Sequence, residues 1–119
     1  MINISPRRGS PYILMDKEIL TEKVSQFSGF GSKVKTYYSV KANPDLNLLK
    51  FIGALGVGFE IASSNELDRL LKFNVPSRRI ISGNPMKIPS FIRHAYKSGI
   101  REFVIDSADE IDKINVTRT

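Results

Sequence analysis

The sequence predicts an α/β fold built from parallel βα units. Three observations predict it. Short runs of β-branched and aromatic residues alternate with capped, amphipathic segments of helical period. The alternation repeats about every twenty to twenty-five residues, the length of one strand-plus-helix unit. Polar residues in the strand-like runs gather at the C-terminal ends, where parallel sheets carry their chemistry. With 119 residues, 41% hydrophobic and 25% charged, the chain suits one globular domain with a modest core.

Residues 1–10 hold Pro6, Gly9 and Ser10 around the basic pair Arg7–Arg8 and read as a loose lead-in. PYILM (11–15) is a short strand-like apolar run. Asp16 then caps a helix, KEILTEKVSQF, that sets Ile19, Leu20, Val24 and Phe27 on one face before Gly29 and Gly31 stop it. VKTYYSVK (34–41) reads as a strand. Pro44 opens the next helix through Leu46, Leu48, Leu49, Phe51 and Ile52, closed by Gly53 and Gly56. GFEIAS (58–63) is the second strand, and Ser64 or Asn65 caps a helix through Leu67, Leu70, Leu71 and Phe73. RIISGN (79–84) is the third strand, followed by a helix over about 90–97. REFVIDS (101–107) is the fourth, and ADEIDKI begins a further helix.

Two architectures use such units. Four of them complete a small doubly wound sheet, or make half of a (β/α)₈ barrel, which takes about 250 residues. The chain ends at INVTRT, just inside the fifth helix, which reads as a truncated barrel. Periodicity alone leaves both open.

Composition removes several function classes. There is no cysteine, so neither disulfides nor thiolate metal sites are expected, and the single histidine, His94, excludes a histidine cluster. The net charge of +6 is spread along the chain, with doublets only at Arg7–Arg8 and Arg78–Arg79. Without aromatic residues interleaved in a basic run, nucleic acid is not an expected partner. A solvated basic surface or an anionic ligand such as phosphate accounts for the charge equally well. The longest apolar stretch, FIGALGVGF (51–59), is too short and too glycine-rich to cross a bilayer, and the N-terminus lacks the apolar core of a signal peptide. No membrane association is expected, and the location is read as cytoplasmic. GALGVG (53–58) closes a helix and opens a strand, the reverse of a dinucleotide loop, so its glycines read as a helix stop and a turn.

The chemistry concentrates in TYYSVKANPD (36–45), where Lys41 ends a run that otherwise reads as buried. A buried ammonium is costly unless it is paired or consumed. Counting by twos, Tyr37, Ser39, Lys41 and Asn43 share one face, and Tyr38, Val40 and Ala42 the other. On the next strand Gly58, Glu60 and Ala62 share a face while Phe59 and Ile61 oppose them. In a barrel the polar faces line the interior, and Lys41 and Glu60 meet at its functional end. They read either as a structural ion pair or as an active site. Met15 and Met86 are expected to pack, and Phe91 and Tyr96 to make core or interface contacts. Arg78–Arg79 is expected to form a solvated turn, and His94 to be a surface or packing residue.

Four motifs occur in order and with natural spacing: YSVKAN, GVGFEIASSNEL, IISGNPMK and FVIDSADEIDKI. They resemble Y-A-V-K-A-N, G-x-G-F-D-x-A-S-x-x-E-L, I-x-x-x-N-P-x-K and F-D-S-x-x-E-L-x-K-I of the pyridoxal-phosphate-dependent decarboxylases of ornithine, lysine, arginine and diaminopimelate, the alanine-racemase-like barrel class. The resemblance covers about residues 11–116. Asn43-Pro44-Asp45 replaces the Ala-Tyr-Gly segment of the racemases, and GNPMK points toward the ornithine-type branch.

The resemblance implies that residues 1–119 are the N-terminal part of a pyridoxal-phosphate-binding barrel, without the rest of the barrel or the C-terminal β-domain. It implies decarboxylation of a basic amino acid of the ornithine, lysine or diaminopimelate type, as in polyamine biosynthesis. Lys41 matches the catalytic lysine that forms the Schiff base with pyridoxal 5'-phosphate. Glu60 matches an acidic position, usually Asp, that contacts the lysine and cofactor. Ser39 and Gly83 match small residues beside the ring, and Asn43 is expected to orient this end of the site. No metal is implied. The family's phosphate loop, ring-stacking histidine and pyridine-nitrogen carboxylate come from later strands, so the isolated chain is expected to be inactive. The family works as a head-to-tail homodimer with shared sites, and an isolated half-barrel with open edges is expected to associate. The alternative from another class is a non-catalytic, decarboxylase-like regulatory or binding protein. A small complete α/β domain that binds a phosphate is the third reading.

Overall fold

Three short parallel strands, β1 (Tyr37–Ser39), β2 (Gly58–Ile61) and β3 (Ile80–Ser82), are hydrogen-bonded side by side in chain order. The structure, a computed structural model, describes Pro11 and residues 13–119. The expected lead-in at 1–10 and Tyr12 lie outside the described residues. Tyr37, Tyr38 and Ser39 pair with Gly58, Phe59 and Glu60, and Phe59, Glu60 and Ile61 pair with Ile80, Ile81 and Ser82. The parallel βα order of the sequence is therefore the order in space.

The strands are shorter than the sequence predicts. The first ends at Ser39, where a 3-10 turn, Val40–Ala42, takes over. The expected fourth strand, 101–107, is reduced to one parallel bridge, Ser82 with Phe103, in which Ser82 N donates to Glu102 O (2.9 Å) and Val104 N to Ser82 O (2.8 Å). This segment has a ladder on one side only, and its apolar Val104 and Ile105 stay exposed. The strand-like run at 11–15 is no strand over residues 13–15, where Ile13, Leu14 and Met15 are exposed and pair with nothing in the sheet.

The described residues form five α-helices: α1 (Lys17–Ser28), which precedes the sheet, α2 (Leu46–Ala54), α3 (Ser64–Leu71), α4 (Pro89–Lys97) and α5 (Ala108–Thr117). Their starts follow capping chemistry. Asp16 accepts from Glu18 N (2.8 Å) and Ile19 N (3.2 Å), and Asp45 from Leu48 N (2.9 Å). The cap of α3 is Ser63, just before the expected Ser64 or Asn65. Its hydroxyl accepts from Glu66 N (3.3 Å), while the Glu66 carboxylate reaches back to Ala62 N (2.7 Å). Ser107 caps α5 through Glu110 N (3.3 Å), and Pro89 opens α4.

The core lies between the sheet and α2, α3 and α4. Phe59 and Ile61 are fully buried, as are Val40, Leu49, Leu67, Leu70, Ala95 and Ile100. Phe59 sits edge-on between the rings of Tyr38 (6.5 Å) and Phe73 (6.4 Å). Phe91 joins this core, whereas Tyr96 is half-buried under the Arg101 guanidinium at 4.0 Å. On α1 only Leu20 and Val24 pack against the core; Ile19 and Phe27 are exposed.

Two expectations are corrected here. Met15 and Met86 are not core residues: Met86, on the loop before α4, is 73% exposed, and Met15 is 39% exposed. Arg79 is not a solvated turn residue. The 3-10 turn Ser77–Arg79 aims its guanidinium inward, and Nη2 donates to Gly53 O (2.7 Å) and Val57 O (2.6 Å). The glycines of 53–58 do act as a helix stop and turn, with Gly56 at φ +86°. A Cβ on Gly58 would stand 2.6 Å from the Tyr37 ring and 2.9 Å from Arg79 O, so only glycine starts β2 there.

Candidate active site

The site residues gather at the C-terminal ends of the strands. Lys41 stands in the 3-10 turn, not on the strand, and that turn resolves the cost of a buried ammonium. Val40 is wholly buried and anchors the turn, while Lys41 is exposed. Alternation by twos therefore ends at Ser39. Pro44 explains the change: it holds Asn43 in an extended conformation (φ −159°, ψ 110°), which closes the turn. Asn43 builds this corner, accepting from Asp45 N at its side-chain oxygen (3.1 Å) and from the Tyr38 hydroxyl at its carbonyl (3.2 Å). Burial pushes the Tyr38 hydroxyl above its ordinary pKa.

Ser39 and Glu60 are direct cross-strand partners, and the Ser39 hydroxyl donates to Glu60 Oε2. The ion pair that the sequence offered between Lys41 and Glu60 does not form among the described residues; the serine takes the carboxylate instead. Phe59 and Ile61 turn into the core and Glu60 to the other face, as the alternation predicts. Gly83 follows β3 and donates its N–H to Ile61 O (3.0 Å). A Cβ there would overlap Glu60 at Oε1, Cδ and Cγ. The structure thus places Ser39, Glu60 and Gly83 together, with Lys41 and Asn43 on the turn that leaves β1.

A second polar cluster joins Lys87, the last residue of the motif IISGNPMK, to Glu110 and Lys113 of FVIDSADEIDKI, residues given no role in the sequence reading. Lys87 is 2% exposed, and its Nζ donates to Asn84 O (2.8 Å), Pro85 O (2.9 Å) and Val104 O (2.6 Å). Glu110 Oε2 lies 3.4 Å from that ammonium, and Lys113 binds Glu110 Oε1 and Lys87 O (3.0 Å). The Lys113 hydrogen bond, aided by Lys87 and opposed by desolvation, holds the Glu110 carboxyl below its ordinary pKa. Its trace in sequence was the capping pattern Ser107-x-x-Glu110 followed three residues later by a lysine. His94 lies on α4, half-exposed, 3.2 Å from Asp68 of α3.

The arrangement offers an accessible primary amine on the turn that leaves β1, two residues after the serine of a hydroxyl–carboxylate pair that abuts a bare glycine. Such an amine is suited to bond a carbonyl carbon, and the bare glycine leaves room for a flat ligand. No group of three or more His, Asp or Glu among the described residues is placed to hold a metal. No helix among them is long and apolar enough to cross a membrane. A cavity of about 550 Å³ opens around Lys35, Thr36, Tyr37 and Arg79, at the opposite end of the strands from Lys41.

Comparison with known proteins gives consistent results. Residues 17–118 match the family model described as pyridoxal-dependent decarboxylase, pyridoxal binding domain. Ornithine decarboxylase of Saccharomyces cerevisiae is 40% identical over 82 residues, 69% of this chain and 18% of that protein. The arginine decarboxylase of Paramecium bursaria Chlorella virus, solved with agmatine, superposes with a TM-score of 0.79 at 31% identity, over 85% of this chain and 27% of that one. The lysine/ornithine decarboxylase of Vibrio vulnificus, solved with putrescine, gives a TM-score of 0.86 at 25% identity, over 94% of this chain and 31% of that one. The matched part of the chain thus spans under a fifth of the yeast enzyme's length. It belongs to the pyridoxal-dependent decarboxylase family, and its fold is the N-terminal part of that family's barrel.

Proposed function

We propose that residues 1–119 form the N-terminal part of a barrel that decarboxylates a basic amino acid of the ornithine, lysine or diaminopimelate type, with pyridoxal 5'-phosphate bound at Lys41. One observation carries the reading: the exposed Lys41 lies two residues after Ser39, at the C-terminal end of the sheet, where Ser39 bonds Glu60 and Glu60 stands against the bare Gly83. When bound, pyridoxal phosphate supplies an aldehyde that bonds an amine and a ring that accepts the electron pair left by departing CO₂.

This chain's residues then have distinct tasks. Lys41 presents the amine that binds the aldehyde carbon. The buried Val40 fixes where that amine starts, so the search is confined to the side chain's own rotations. Ser39 orients the Glu60 carboxylate, which sets a negative charge on the face that Lys41 leaves. Asn43 holds the turn, and Gly83 keeps space open beside it. In the family the groups that hold the phosphate and the pyridine nitrogen come from later strands, so residues 1–119 alone are read as a weak cofactor binder without turnover. The basic-amino-acid class is supported by the relatives solved with agmatine and putrescine. A shared-site homodimer and a cytoplasmic location belong to the same reading.

The test is incubation with pyridoxal phosphate, borohydride reduction and peptide mass mapping, with Lys41→Ala as control. A reduced adduct confined to Lys41 is expected. Labelling spread evenly over the surface lysines, unchanged in Lys41→Ala, would overturn the assignment and favour a binding protein that keeps the fold without the pocket.

A further inference from the structure

We infer that Gly83 is a positioning residue for Glu60: the missing side chain at 83 is what allows the carboxylate to stand against Ser39. Only the bearing of this pair on the cofactor rests on the function proposed above.

The backbone does not require glycine at 83. The glycines with left-handed φ among the described residues are Gly31, Gly56 and Gly99, and Gly83 is not one of them. Its φ therefore does not by itself call for glycine. The three atoms nearest to an added Cβ all belong to Glu60, and they include Cγ and Cδ as well as the terminal oxygen. Moving the tip alone therefore gives no relief. The side chain has to leave its position near its root, and that rotation takes Oε2 away from the Ser39 hydroxyl. The Gly83 main chain cannot retreat instead without breaking its bond to Ile61 O (3.0 Å). The carboxylate is thus held between two neighbours, a hydroxyl from β1 on one side and a bare Cα after β3 on the other. Glu60 lies between Ser39 and Gly83, since β2 runs between their strands.

A cycle of urea unfolding on the full chain, without cofactor, tests this. Gly83→Ala is expected to lower the unfolding midpoint. In the Glu60→Ala background, where the colliding atoms are gone, the same change is expected to be neutral or stabilising, because alanine restricts the unfolded chain. Glu60→Gln keeps the bulk without the charge, and there Gly83→Ala should remain harmful. Ser39→Ala should cost less in the Gly83→Ala background than in wild type, its partner having already been displaced. Equal effects of Gly83→Ala in all three backgrounds would overturn the inference. Should Gly83→Ala fail to fold, recovery of folding in Glu60→Ala/Gly83→Ala supports the pairing and continued failure overturns it. Borohydride trapping at Lys41 gives the functional arm: loss of the adduct in Gly83→Ala is expected. Absence of an adduct in wild type would sink the proposed function while leaving the unfolding cycle to decide the pair.

Discussion

Lys87 Nζ lies 3.4 Å from Glu110 Oε2, and the lysine side chain is wholly shielded from solvent. The pair ties the loop after β3 to the first turn of α5. Three carbonyls complete the ammonium's shell, so the charge is both paired and hydrogen-bonded, the condition under which a buried ion persists.

Lys87→Met should therefore destabilise the chain by about 3 kcal/mol, because it leaves three carbonyls without their donor and the Glu110 carboxylate without its ion-pair partner. Urea unfolding at neutral pH measures it. A loss within the range of an ordinary surface substitution would mean that solvent or Lys113 replaces the ammonium.

Glu110 should make stability depend on acid. Its carboxyl titrates below its ordinary value in the folded chain. Between the folded and unfolded values the unfolded chain binds more protons, so stability rises with pH through that window. The contribution is complete above the ordinary glutamate pKa and disappears as pH falls through the lowered one. Glu110→Gln is expected to flatten this acid limb of the stability–pH curve. An unchanged limb would assign it to other carboxylates.

Ser82 presents the opposite case. Its hydroxyl is buried, and no hydrogen-bond partner meets it among the described residues. Ser82→Ala should be neutral or raise stability by up to about 1 kcal/mol, since removing an unsatisfied group recovers its desolvation cost. Thermal unfolding decides, and a clear loss would reveal a partner for the hydroxyl.

Much of the fold was legible in the sequence because local chemistry dictated it. Asp16 before an amphipathic run, the glycines of 53–58, and Phe59 and Ile61 alternating with Glu60 each state a local preference that packing confirms. Strand ends were not legible. Whether Lys41 continues a ladder depends on Pro44 and on the burial of Val40, which compete with alternation only once the corner is formed. Residues 101–107 carry a strand pattern, yet a ladder needs neighbours, and here there is one bridge. In the site, the motif residues Ser39, Glu60 and Gly83 do come together. Lys87 stood in the motif IISGNPMK, but its burial was not legible: lysine ordinarily stays at the surface, and only the three-dimensional closeness of carbonyls and Glu110 reverses that preference.

The sheet also has a kinetic meaning. Tyr37 pairs with Gly58, Phe59 with Ile80 and Ser82 with Phe103, a constant spacing of one βα unit along the chain. Every closure spans the same short loop, so each costs a similar entropy and none waits for a distant segment. A chain emerging from the ribosome can add its strands one by one, each new unit docking on the edge left by the last.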